Sequence, residues 1–436
     1  MYKIKHVKIS GIWGWKTIET DFYEDVSIFI GSNGTGKTTF INILISVLRV
    51  DIPALEEIRF DSAEITFEKK VNSSCLKRTF VVTRECNEFG EVIRYKLSRT
   101  VYRIPSMDGR LLRSAYVQRR IVPIVEEVRS EIENIIKFSS LSVSRAGLID
   151  LDESNTLENL RETKPISPVD KTLRGLMERL RAYQLNRAEI SKEIAREFQE
   201  EVFISVLYNK KIDSSVGLSK VSNEDLQSEM EMFQKTYYEM GIQNIARRGK
   251  ARELIKRHFT AIQQSIEYLQ DTIAEGKGVF EVNKIFAFPL LKRTRLIIEA
   301  GKQAEDKRKE LFAPLTHYCS LLERFFKEKK PNLRSDGSLT FFDKKRSGEE
   351  YDYSKLSSGE KQVLILLTEA LLQEGESKLY VADEPELSLH INWQGIIIPA
   401  IRSINKNAQI IIATHSPEVA GEYPENILDM EDICSE

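Results

Sequence analysis

Hydrophobic residues in the first thirty positions alternate and then cluster. KIKHVKI and TIETDF alternate apolar and polar positions as strands with one buried face do, and after a turn at Tyr23 to Asp25 the run VSIFI reads as a buried strand. That run stops at GSNGTGKTTF, and the INILISVLRV that follows is apolar at helical density, so strand, glycine loop and helix succeed one another. From about Ile58 to Ile104 three alternating segments, IRFDSAEITFEKK, LKRTFVVTRE and VIRYKLSRTVYRI, are separated by turn-like NSS and NEFGE and predict an antiparallel sheet. A helix is expected from about Val122 to Ile136.

Between about 165 and 330 the pattern changes to long charged helices, opened by Ser167 as a cap and Pro168 at the first helical position. Leu173, Leu176, Leu180 and Tyr183 continue one face, and further helices are expected near 223–240, 246–275 and 284–328. At 1.5 Å per residue these are arms of about 30 to 60 Å. Alternation returns in SLTFFD and EEYDYSKL, a hairpin, and is followed by helix, strand, helix and strand in EKQVLILLTEALLQ, KLYVAD, INWQGIIIPAIRSI and AQIIIAT. The chain therefore divides into an N-terminal half-domain at 1–150, a helical insertion at 151–333 and a C-terminal half-domain at 334–436. Neither an internal repeat nor a low-complexity tract is present.

The glycine loop carries the first chemistry. Residues 31–38, including Asn33, Gly34, Thr35, Gly36, Lys37 and Thr38, satisfy GxxxxGK[ST] in full, with Thr39 next. In this pattern glycines let backbone N–H groups turn toward a phosphate, the helix N-terminus adds a positive field, and the lysine reaches the β and γ phosphates. Thr38 would place its hydroxyl on Mg²⁺. Leu379 to Pro385 is an apolar strand ending in Asp383 and Glu384, which sets two carboxylates at the edge of a sheet where ligands bind. Asp383 is the candidate for holding the metal through water, and Glu384 for the general base that polarises an attacking water.

Leu356-Ser357-Ser358-Gly359-Glu360 before a helix resembles the signature motif of ABC ATPases, in its LSSGE form. The resemblance implies ATP with Mg²⁺ as ligands, hydrolysis to ADP and phosphate, and a homodimer in which Ser357 and Gly359 contact the γ phosphate held by the other copy. It also implies a switch histidine at His415 in ATHSP, an intersubunit loop at Glu386 to His390, Gln118 as a metal-watching glutamine, and Trp13, with Trp15 near it, against the adenine. For Gln118 a plain surface position, and for the tryptophans core packing, remain equally open. The fold implied is α/β: an ABC-type P-loop ATPase head, a mixed sheet plus an antiparallel sheet, split by an α-helical, coiled-coil insertion. DEPELSLH and ATHSP are closer to OLD-like, RecF-like and SMC-like ATPases than to transporter subunits. The LSVSR segment with Arg145, together with the helical insertion of modest length, resembles ATPase subunits of bacterial anti-phage systems such as PARIS or Septu.

Composition narrows this further. The 41% hydrophobic fraction is that of an ordinary folded chain, and no run approaches the roughly 18 to 20 apolar residues that span a bilayer. MYKIKHVKIS lacks the apolar region of a signal peptide, so a cytoplasmic protein with no membrane contact is expected. The four cysteines are scattered, suggesting neither zinc nor disulfides. About twenty residues follow Pro417, too few for a Toprim nuclease, and the histidines do not cluster as HNH chemistry needs. Any nuclease, Toprim or HNH, is therefore expected in a partner.

Two functions remain in view: a sensor ATPase that controls such an effector in answer to a phage-encoded trigger, and a RecF-like or SMC-like DNA-binding ATPase of repair. The net charge of -2 argues against bulk attraction to nucleic acid. Local clusters at Arg110, Arg113, Arg119 and Arg120, and at Arg247, Arg248, Lys250, Arg252, Lys256 and Arg257, keep the second reading open.

Overall fold

The alternating N-terminal segments fold as a sheet whose buried face covers a helix. In the computed structural model, which describes residues 2–71, 74–87, 90–105, 119–140, 167–207, 223–239, 245–276, 279–344, 349–386 and 389–435, β1 (Lys3–Ile12), β2 (Lys16–Asp21) and β3 (Val26–Ile30) lead into α1 (Lys37–Arg49) and α2 (Ile52–Glu57). Then come β4 (Ser62–Val71), β5 (Ser74–Asn87), β6 (Gly90–Leu97) and β7 (Thr100–Pro105). The third alternating segment is thus two strands rather than one. Ser98 takes φ 52°, and a tight turn at Ser98 and Arg99 folds VIRYKL back onto TVYRIP.

The chain continues through α3 (Val122–Ile135), β8 (Lys137–Ser140) and the long helices α4 (Pro168–Val206), α5 (Asn223–Glu239), α6 (Ile245–Ala274), α7 (Val282–Ile285) and α8 (Phe288–Phe325). It ends with β9 (Lys329–Leu333), β10 (Leu339–Asp343), β11 (Glu350–Asp352), α9 (Ser358–Leu371), β12 (Lys378–Asp383), α10 (Ile391–Ile404), β13 (Gln409–Ala413), α11 (Pro417–Ala420), β14 (Ile427–Asp429), α12 (Met430–Ile433) and β15 (Cys434–Ser435).

Two sheets make the head. An antiparallel sheet runs β15-β2-β1-β4-β5-β6-β7, and a parallel sheet runs β14-β3-β13-β12-β8. Helix α1 buries Phe40, Ile41, Ile43, Leu44 and Val47, so it is apolar around most of its circumference, as a helix enclosed on several sides must be. It shares one apolar core with Val7, Ile9, Ile65 and Phe67 of the antiparallel sheet and Val381 and Ile411 of the parallel one. Gln409, fully buried, joins the two sheets: its Oε1 accepts the Ile4 N–H at 2.8 Å, and its Nε2 donates to the Ile4 and Tyr23 carbonyls, each at 2.8 Å. A third sheet, β11-β10-β9, contains the expected β10–β11 hairpin and an added strand, β9.

By contacts the chain forms two compact units, Met1–Ala182 with His317–Glu436, and Tyr183–Thr316. The second is helical, with Leu226, Ile262, Ile266 and Leu291 at its centre and ion pairs Lys235–Glu305 and Arg295–Glu229 at its surface. Among the described residues no helix is long and apolar enough to cross a membrane.

Candidate functional site

Lys37, Thr38, Asp383, Glu384 and His415 sit at the carboxyl ends of strands in the parallel sheet or on the segments just after them, and the turn between β1 and β2 of the antiparallel sheet adds Trp13 and, just after it, Lys16. The glycine loop follows β3, and Gly36 caps α1 with φ 103°, a left-handed conformation that glycine adopts without strain. A side chain there would also meet the Trp13 ring, 3.4 Å from where its Cβ would lie. Lys37 is buried and its Nζ donates to the Gly31 and Ser32 carbonyls at 2.7 and 3.0 Å, so its charge lies within the loop's own curve. Burial lowers its pKa, against the opposing fields of Glu384, Asp383 and Asp429. Lys16 donates to the Thr35 carbonyl at 2.6 Å and lies 5.8 Å from the Trp13 ring. Asn33 is exposed, and Thr39 is half-buried on the first turn of α1.

Asp383 ends β12, with its Oδ1 3.4 Å from the Thr38 hydroxyl. Burial raises the Asp383 pKa, the Thr38 hydrogen bond opposes that, and Glu384 and Glu386 add to it. A hydroxyl and a carboxylate that face each other at this separation suit a Mg²⁺ that would take the Thr38 hydroxyl as a ligand and present one of its waters to Asp383, since the ion takes hard oxygen donors and keeps several waters. Glu384 stands at φ 45°, in the left-handed region that costs a non-glycine residue of order 1 kcal/mol or more, and its N–H donates to the Ala413 carbonyl at 2.8 Å. The strained turn aims its carboxylate at His415, whose Nε2 lies 3.7 Å from Glu384 Oε1.

The structure therefore gathers Lys37, Thr38, Asp383, Glu384 and His415, with Trp13 beside the loop. Ser357 and Gly359 do not join this group. Ser357 is engaged at the start of α9, where it and Glu360 form a reciprocal cap and Lys329 donates to Glu360 at 2.6 Å, and Gly359 is buried in the same turn. Gln118 lies outside the described residues, as do Arg110 and Arg113.

Several contributors escape a reading of motifs alone. Glu431 accepts from the Ser32 hydroxyl at 2.8 Å, and Glu386 binds the segment around His415. The acid three residues after Asp383 is a signal the DEPE spelling already holds, whereas nothing in the spelling of the C-terminal segment places it beside the glycine loop.

A phosphate-loop strand flanked by the histidine-bearing strand on one side, in a parallel sheet covered by an antiparallel one and split by a helical insertion, defines an ABC-type ATPase head. The chain belongs to the AAA ATPase domain family (AAA_15), which matches residues 2–420. The "Retron Ec83 probable ATPase" of Escherichia coli is 37% identical to it over 76 residues, 15% of this chain and 14% of that one, so the match spans about one seventh of the relative. Among solved structures it is similar to the Smc head domain of Pyrococcus furiosus with an extended coiled coil, bound to the C-terminal domain of ScpA (14% identity, TM-score 0.43, 98% of this chain and 93% of that one). It is also similar to the Smc head domain of Pyrococcus yayanosii with a coiled coil and joint (15% identity, TM-score 0.41, 98% and 95%).

Proposed function

We propose that the chain hydrolyses ATP at composite sites formed by two copies, and that the ATP-bound dimer controls a separate effector nuclease of Toprim or HNH type in anti-phage defence. The observation that carries the ATPase is the convergence of Lys37, Thr38, Asp383, Glu384 and His415 at one sheet edge. Lys37 would exchange its two loop carbonyls for β and γ phosphate oxygens, and Thr38 and Asp383 would hold Mg²⁺, which draws charge from the γ phosphate as it transfers. Glu384 orients the attacking water and takes its proton; His415 senses the γ phosphate from the other side of the same carboxylate.

The homodimer reading is supported by Ser357, which stands exposed at the N-terminus of α9 with Gly359 buried in the first turn behind it, a helix end that can receive a phosphate from outside the chain. The defence reading rests on the short match to the retron ATPase and on the resemblance of LSVSR, with the modest helical insertion, to PARIS or Septu ATPase subunits. The segment 151–333, within which the compact helical unit Tyr183–Thr316 falls, would be the surface for effector or trigger, and the halves 1–150 and 334–436 the ATPase in a cytoplasmic protein.

Lys37→Ala should abolish nucleotide binding in titration calorimetry. Glu384→Gln should retain ATP while turnover falls by about 100-fold or more. Unchanged phosphate release by Glu384→Gln would remove it as the base. Capture of partners by Glu384→Gln in ATP and Mg²⁺ tests the effector: a stoichiometric nuclease supports the sensor. Retained duplex DNA with a steep salt dependence would favour the DNA-binding ATPase of repair instead.

A further inference from the structure

The switch segment after β13 is tied to the segment after β12 by one side chain whose place in the reaction the motif reading leaves blank. Glu386 is 8% exposed, and its Oε1 accepts two hydrogen bonds: one from the hydroxyl of the fully buried Thr414, and one from the His415 N–H at 3.1 Å. Thr414 passes the contact on, since its hydroxyl accepts the Ser416 N–H at 2.9 Å, and the Ser416 hydroxyl donates to Gln394 of α10 at 2.7 Å. The His415 ring is exposed and meets Glu384 at 3.7 Å. Its direction is therefore set by its backbone, and that backbone is fixed upstream by the Thr414 N–H on the Phe29 carbonyl at 3.0 Å and downstream by Glu386.

We propose that Glu386 is the positioning residue of the ATPase site, a latch that holds the Thr414–His415 turn so that the histidine faces Glu384 and the transferring phosphate. The inference rests on the ATPase reading above and adds a residue to it. Glu386 touches no reacting atom; it acts through His415. Its second oxygen, Oε2, is buried and has no hydrogen-bond partner among the described residues. The two hydrogen bonds that Glu386 accepts fall on one oxygen, so a single carbonyl-like acceptor is enough to hold the turn. What the latch requires of this position is therefore the acceptor at Oε1, which an amide can also supply. Glu386 opens the stretch expected to face a second copy, and Gln394, whose Nε2 donates to the Leu389 carbonyl at 3.3 Å, links the same stretch to Ser416, so movement there on dimerisation would reach the His415 turn through both side chains.

Three variants separate latch from scaffold. Glu386→Gln keeps an acceptor for Thr414 and His415, and kcat should stay within about 3-fold of wild type. Glu386→Ala removes it, and kcat should fall by about 10- to 100-fold while KM for ATP changes by less than about 3-fold, since the loop and Trp13 are untouched. Thr414→Val, which removes one of the two donors but keeps the shape, should fall between them. Hydrogen exchange supplies a readout without turnover: the peptide spanning 410–418 should exchange about 10-fold faster or more in Glu386→Ala and at the wild-type rate in Glu386→Gln.

Wild-type exchange in Glu386→Ala, or a loss of activity that Gln does not restore, would overturn the latch. A parallel loss in KM would mark a collapsed site and count against it equally. If the wild-type chain itself released no phosphate, the ATPase reading would fall, and exchange at 410–418 would still decide whether Glu386 holds the turn.

Discussion

Trp13 shows how one side chain can be read two ways until its surroundings are known. An indole in the turn after an N-terminal strand serves a core as well as a base, but here the ring is 40% exposed and stands over Gly36 rather than within the sheet. Its backbone takes φ 57°, held by its N–H on the Arg59 carbonyl at 3.1 Å, so a strained turn presents it to solvent beside the loop. Stacking a base on an exposed aromatic contributes about 1–2 kcal/mol, the lower part of the range for such platforms, or roughly 5- to 30-fold in affinity. Trp13→Ala should weaken ATP binding by that factor, and GTP binding by the same factor, because every base has a π face. Calorimetry with both nucleotides checks it: a loss confined to ATP would mean that Trp13 reads the edge of adenine, and no loss would return the ring to a structural role.

Among elements, α9 combines a capped helix with the signature sequence. Ser357 accepts the Glu360 N–H at 3.4 Å, and Glu360 Oε2 accepts the Ser357 N–H and hydroxyl, each at 2.9 Å, together with Lys329 Nζ. Ser357→Ala should therefore cost about 1 kcal/mol in urea unfolding even without a second copy present, and Ser357→Asn, which still caps, should cost less. Burial alone would raise the Glu360 pKa; Lys329 and the Ser357 donors outweigh it and hold the carboxyl below its usual value. A carboxylate depressed in the folded state stabilises above its unfolded pKa, and that contribution is lost as pH falls through the folded value. Glu360→Gln should accordingly flatten the acid side of a melting-temperature profile, below about pH 5, and leave the neutral side parallel to wild type.

What could be read from the sequence follows the same division. The glycine loop, the strand into Asp383 and α9 were legible because each is a local pattern bounded by its own caps and turns. The strands β8, β9, β14 and β15 were not, since KFSS, KKPNL, ILD and CS are too short or too polar to show a period. Partners fix them instead: β8 lies beside β12, β14 beside β3, and β15 beside β2. Glu386 is visible in the DEPE spelling, but what it holds is not, because its donors lie twenty-eight and twenty-nine residues away in sequence.

For the molecule as a whole, the head is one unit built from two distant stretches of chain, and Gln409 reaching back to Ile4 across 405 positions is the side-chain form of that closure. Both stretches bring Lys37, Thr38, Asp383, Glu384 and His415 together in one chain, while the contacts of Ser357 lie at the start of α9, and this leaves a question that mixing variants can answer. Lys37→Ala removes a copy's own loop, and Ser357→Arg blocks what that copy offers to a neighbour. If the signature acts across two copies, each variant alone is inactive, yet a mixed pair holds one site with an intact loop from the Ser357→Arg copy and an intact signature from the Lys37→Ala copy. At equal concentrations half the pairs are mixed and half their sites are whole, so the mixture should recover about one quarter of wild-type phosphate release when sites act independently. If the signature acted within its own chain, every site in the mixture would carry a defect and no activity would return. Recovery well above a quarter would mean that one whole site drives its neighbour, as expected of a dimer in which both sites report to a single closed state.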